Sequence, residues 1–125
     1  MCSDNDRVIS YLDAAINEME LLAKMTENLH ESDEFLTSLS GMVLFRACGM
    51  SLQYITENFV KIRNLRGQDF FKPYREIPWN SVFGMRNFLS HEYGDVDAEG
   101  IFNTVKNNIP HLLAVTRKIK EDTLQ

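Results

Sequence analysis

Most of the candidate chemistry in this chain lies in one stretch, Gly84-Met85-Arg86-Asn87-Phe88-Leu89-Ser90-His91-Glu92-Tyr93. It places Arg86, Asn87, His91 and Tyr93 at the end of what reads as an otherwise apolar helix. Asn87 and His91 stand four apart on one helical face, where an amide can orient an imidazole. On a regular helix Arg86 lies about 140° around from His91. The two converge if the last turn loosens, or if a second copy brings its own set across a symmetry axis. An imidazole with a pKa of about 6.5 can take the proton of a ribose 2′-hydroxyl or protonate a leaving 5′-oxygen. A guanidinium can hold the phosphate in a fork and stabilise the charge that builds on its oxygens. The pairing suits cleavage of RNA phosphodiesters without a metal. Taken alone the spacing is nearly uninformative and is more commonly that of a surface arginine and a helix-terminal histidine.

A second cluster precedes the first in the chain. Lys61, Arg63, Arg66, Lys72 and Arg75 face a single acid, Asp69, and interleave with Phe70, Phe71 and Tyr74. Cations alternating with rings suit phosphate binding and base stacking, so these five are candidate RNA-binding residues. The competing reading is a solvated loop with aromatic anchors into a core. Of the other histidines, His30 lies in a polar loop and His111 follows a proline; both read as solvated. No pair of histidines has metal-ligand spacing, and the six glycines form no phosphate loop. Neither a metal nor a cofactor is expected.

The elements that must position these residues fit one domain, 1–125. With 125 residues, 44% of them hydrophobic and 25% charged, the chain can bury one core but not comfortably two. A net charge of −5 argues against a charge-driven nucleic-acid coat protein while allowing a local basic patch. Two cysteines, Cys2 and Cys48, provide no disulfide framework, and Cys48 reads as a small buried hydrophobe. The polar, acidic start is unlike a secretory signal, and no apolar run approaches the roughly 20 residues of a membrane span. A cytoplasmic location follows.

Helical periodicity runs through the chain. From Asp6 to about Glu27, Val8, Leu12, Ala15, Met19 and Leu22 make one stripe, widened by Ile9, Ile16 and Ala23. Asn28 to Asp33 reads as a loop and Glu34 to Leu39 as a short turn. A second helix spans about Ser40 to Asn64, with Val43, Ala47, Met50, Tyr54 and Phe59 to Val60 as its apolar face. Gly49 inside it suggests a close helix approach. Arg66 to Ile77 reads as an ordered loop. Pro78 opens a third helix ending near Tyr93 or Gly94. Asp97 caps a fourth, from about Ala98 to Asp122, kinked by Pro110. No strand pattern appears. The expected fold is all-α, an up-and-down bundle of four to five helices. Eight Phe, four Tyr, one Trp and six Met exceed what one small core readily hides, which points to a homodimer.

The run Ile77-Pro78-Trp79, Gly84-Met85-Arg86-Asn87, His91-Glu92-Tyr93, Val96-Asp97 and Thr104-Val105-Lys106 to Ile109-Pro110 resembles the HepT-like branch of the HEPN superfamily. It covers about a third of the chain, in order. The resemblance implies a homodimeric helical bundle whose Arg-x4-His-x-Tyr motifs face one cleft. It implies a metal-independent ribonuclease, the toxin of a toxin–antitoxin module. The antitoxin is a small nucleotidyltransferase, MntA, which silences the toxin by moving AMP from ATP to the motif tyrosine. On this basis Arg86 polarises the phosphate and His91 is the general acid/base. Asn87 supports them, and Tyr93 accepts the AMP. The chain departs from relatives in carrying Gly94-Asp95 after the tyrosine and Arg46-Ala47-Cys48-Gly49 in the second helix. The alternative that fits the same residues is a non-catalytic partner of a nucleotidyltransferase.

Overall fold

A capping box starts the first helix. Ser3 Oγ accepts from the Asp6 amide at 3.1 Å while Asp6 Oδ2 accepts from the Ser3 amide at 3.2 Å. The computed structural model describes residues 3–86 and 95–125. All regular structure among them is helical, as the periodicity predicts. Helix α1 runs Asp4–Met25, and Val8, Leu12, Ala15, Met19 and Leu22 are all buried on one face. It starts two residues before the expected Asp6 because the cap lies at Ser3.

The chain then makes a 3-10 turn, Ser32–Phe35. Glu34 Oε2 accepts from the amides of His30 at 2.6 Å and Glu31 at 2.9 Å. Those bonds, the one from Glu31 first, hold its carboxyl below the usual range. Helix α2, Leu39–Arg66, begins where Ser38 Oγ accepts from the Gly41 amide at 2.9 Å. It ends at Gly67, whose φ of 86° lies in the left-handed region that glycine enters without steric cost.

The face expected to bury α2 holds at Phe59 and, in part, at Val60, and is corrected before them. Val43, Met50 and Tyr54 are 61%, 67% and 46% exposed, and Leu39 is 76% exposed. The buried face carries Phe45, Cys48, Leu52, Ile55, Phe59 and Ile62 together with the polar Ser51, Thr56 and Asn58. Each of those three is satisfied. Ser51 Oγ donates to Glu18 Oε2 at 2.6 Å, Thr56 Oγ1 to the Val82 carbonyl at 3.0 Å, and Asn58 Nδ2 to the Tyr54 carbonyl at 2.9 Å. Hydrogen bonding let polar residues turn inward, so polarity alone chose the wrong side. Gly49 is buried on the inner face, as a close approach requires. Cys48 is fully buried, and burial pushes its thiol up to about 12. It is an inert hydrophobe at neutral pH.

Helix α3 spans Trp79–Gly84, with Pro78 at its N-cap, and gives way to 3-10 geometry at Met85 and Arg86; the rest of the longer helix expected to reach Tyr93 or Gly94 lies outside the described residues. The cause is local. The Val82 carbonyl takes the Thr56 hydroxyl from α2 and also the Met85 amide, so the chain tightens into 3-10 geometry at Met85 and Arg86.

The expected fourth helix is two. Helix α4 spans Asp95–Asn103 and α5 spans Ile109–Leu124, joined by a π-turn at Thr104–Asn108. Asp97 therefore stands inside α4 and is not its cap. Pro110 has no N–H to donate back one turn, and its ring crowds the carbonyl there. The extra residue of a π-turn absorbs this, with the Ile109 amide donating to the Thr104 carbonyl. Lys106 Nζ pins the turn to the Thr26 carbonyl at 2.7 Å. Helix α1 packs against α2 and α5, and α4 against α2 and the first 3-10 turn. Among the described residues no helix is long and apolar enough to cross a membrane.

A Cβ at Gly41 would run into the backbone carbonyl oxygen of Glu34, whereas one at Gly84 would meet nothing. Gly41→Ala should therefore destabilise the fold by about 1–3 kcal/mol, and Gly84→Ala should leave it unchanged or raise stability by up to about 1 kcal/mol. Urea unfolding of both variants checks this; equal effects would contradict the close approach at Gly41.

Candidate functional site

The site is reached from an aromatic knot. Phe71 and Trp79 have centroids 4.4 Å apart, Phe59 lies 5.6 Å from Trp79, and Phe83 lies 5.6 Å from Phe71. Trp79 Nε1 donates to the Tyr74 carbonyl at 3.0 Å. Tyr74 is itself tied to α5, its hydroxyl donating to Asp122 Oδ2 at 2.7 Å. Burial, and then that carboxylate, push the phenol up to about 12. These contacts fix α3, and α3 fixes where the chain presents Arg86. Met85 is buried while Arg86, its neighbour, is exposed. Asn87, His91 and Tyr93 lie outside the described residues.

The five basic residues divide. The Arg63 guanidinium sits over the Phe83 ring at 4.2 Å, and that of Arg66 lies 5.5 Å from Phe70 while donating to Asn5 Oδ1 at 2.6 Å. Lys61 Nζ lies 5.5 Å from the Tyr11 ring. Lys72 pairs with Asp69 at 3.6 Å, and both side chains are largely exposed. Lys72 and Arg75 border a shallow depression floored by Phe71 and Trp79. The rings interleaved with them face inward: Phe71 and Tyr74 are buried and Phe70 is half-buried. They anchor the loop to the core and offer little open face to a base.

One feature had no counterpart in the sequence pattern. A groove of about 440 Å³ opens between α3 and the π-turn. Ile77, Val82, Met85, Ile109 and Leu112 form its apolar floor, and Glu76, Ser81, Asn107, Asn108 and His111 its rim. The signal that could have located it is Pro110, since the break it forces presents Asn107 and Asn108. His30 is exposed, with its backbone amide on Glu34. Among the described residues no group of three or more His, Cys, Asp or Glu is placed to hold a metal ion.

A family model described as "Ribonuclease HepT-like" matches residues 15–119. A protein of Caldanaerobacter subterraneus subsp. tengcongensis named "Putative RNase TTE0752" is 31% identical over 89% of this chain and 89% of its own length. A Thermococcus cleftensis protein named "Probable ribonuclease HepT" is 30% identical over 89% of this chain and 94% of its own. One from Methanocaldococcus jannaschii, "Putative RNase MJ1216", is 30% identical over 92% and 83% respectively. No solved structure matches.

The packing of the basic residues has a measurable consequence. Arg63→Ala should lower stability by roughly 1 kcal/mol, from lost cation–π contact and stem packing. Arg75→Ala should stay within about 0.5 kcal/mol of the parent. Thermal unfolding of the two variants separates them, and a neutral Arg63→Ala would contradict its structural role.

Proposed function

Because the chain belongs to the ribonuclease HepT-like family, we propose that it cleaves RNA through Arg86 and His91, without a metal, as the toxin of a pair whose antitoxin is an MntA-like nucleotidyltransferase. The observation that carries this reading is the match over residues 15–119 in a chain that holds Arg86-x4-His91-x-Tyr93. The exposure of Arg86 at the end of a rigidly held helix supports it.

In the proposed reaction a ribose 2′-oxygen attacks the adjacent phosphorus. The bond from phosphorus to the 2′-oxygen forms as the bond to the 5′-oxygen breaks. His91 removes the 2′-proton or protonates the departing 5′-oxygen, and its partner in the cleft, a second His91 or water, does the other. Arg86 binds the phosphate oxygens, and its hold tightens as charge builds on them. Asn87 orients the imidazole. Lys61, Lys72 and Arg75 guide the RNA backbone, with Arg63 and Arg66 adding charge from their packed positions.

The working unit is a homodimer with both motifs in one cleft. The apolar stripe of α2 supports self-association, since Leu39, Val43, Met50 and Tyr54 are too exposed to belong to the core of one chain. Met and Tyr are also residues that interfaces favour. Silencing places AMP on Tyr93: the phenol oxygen attacks the α-phosphorus of ATP and pyrophosphate leaves. The added anion, two residues from His91, repels RNA and competes for Arg86.

Expression without a partner should stop growth, and His91→Ala should relieve the arrest while keeping the helical fold. Undiminished toxicity in that variant would contradict the acid/base role of His91, and a parent that is harmless without its partner would favour a bundle that merely holds the nucleotidyltransferase. Co-expression with the partner should add one or more AMP masses to the peptide bearing Tyr93, and none to Tyr93→Phe. Met50→Glu should sediment as a folded monomer where the parent is a dimer, and lose cleavage with it. A dimeric Met50→Glu would remove the α2 stripe from the interface.

A further inference from the structure

The groove between α3 and the π-turn has the chemistry of a base pocket rather than a phosphate pocket. Its floor is apolar, and about 440 Å³ is room for one base with its ribose. Of its described lining residues one is acidic, Glu76, and none is Lys or Arg. A phosphate would meet that carboxylate with no cation to offset it, whereas an amine would be drawn to it. Among the described residues Glu76 makes no ion pair, and none donates to or accepts from the side chains of Asn107 or Asn108. An asparagine amide matches the N6/N7 edge of adenine, and a glutamate accepts from the N4 amine of cytosine.

Met85 forms part of the floor, and the next residue is the exposed Arg86. Successive Cα atoms are about 3.8 Å apart, so a base resting on Met85 brings its own phosphate to the arginine. The π-turn that forms the opposite wall is held by Pro110 and by Lys106 on Thr26, so the amides are presented from fixed backbone. We infer that this groove is a base-recognition subsite, selecting adenine or cytosine at the nucleotide beside the scissile phosphate. The biological ligand rests on the ribonuclease reading; the selectivity of the groove does not.

The test uses nucleosides, which carry no phosphate and so do not engage Arg86. Adenosine, inosine, cytidine and uridine are titrated into the full chain, labelled at its methionine methyls and its side-chain amides, and followed by NMR. Adenosine and cytidine should move the Met85 methyl and Asn108 amide signals at about tenfold lower concentration than inosine and uridine, as expected for a two-point amide pair with adenine and for one hydrogen bond from cytosine to a charged group. Glu76→Gln should erase most of the preference for cytidine over uridine, and Asn108→Leu should weaken adenosine. Both positions are exposed, and the rest of the spectrum reports whether the fold is kept. Four indistinguishable nucleosides, unmoved groove signals, or a preference indifferent to Glu76→Gln would overturn the subsite. Selective nucleoside binding by a protein that cuts no RNA would contradict the ribonuclease reading and leave the subsite standing. RNA cleavage by a protein whose groove ignores all four nucleosides would do the reverse.

Discussion

The contact on which this molecule most depends is the packing of Trp79 and Phe83 on Phe59 and Phe71. It joins the short α3 to the long α2 through four rings, and the Thr56 hydroxyl adds a polar pin to the Val82 carbonyl. A six-residue helix has little stability of its own, because nucleation costs more than so few hydrogen bonds return. Its position must come from tertiary contacts, and these rings supply them. Everything proposed for Arg86 follows from that anchoring, since the arginine leaves α3 two residues after its end. The Thr56 pin also explains why the helix ends there: it shares the acceptor that the tightening chain uses.

How much of this was legible in the sequence differs between helices for physical reasons. Helix α1 has one apolar stripe and a polar remainder, so periodicity alone assigns its buried face. Helix α2 is apolar on two sides in its first half, and its true inner face includes Ser51, Thr56 and Asn58. Pattern reading treats such residues as solvent-facing. It cannot see that Glu18, the Val82 carbonyl and the Tyr54 carbonyl await them. Val43, Met50 and Tyr54, mistaken for core, belong to the exposed stripe on which the proposed self-association rests.

The break at Pro110 was half legible. The missing amide and the steric clash can be read from a single letter. That the helix would answer with a π-turn, pinned by Lys106 to Thr26 and opening a groove against α3, needs the fold. The basic segment shows the opposite limit. Its composition suggested rings stacked with cations on a surface, whereas Phe71 and Tyr74 turn inward and Arg63 lies flat on Phe83. Of the motif, Arg86 alone falls among the described residues, and its linkage to His91 and Tyr93 rests on spacing and on the family.

The most direct measurement of the central claim is cleavage of an end-labelled RNA by the purified chain in EDTA, run beside Arg86→Ala and His91→Ala. The account predicts that the parent cuts and leaves cyclic phosphate ends, and that His91→Ala cuts slower by about 10²–10⁴-fold, with Arg86→Ala similarly impaired and both variants folded. Cleavage undiminished in either variant, or abolished in the parent by EDTA, would contradict it.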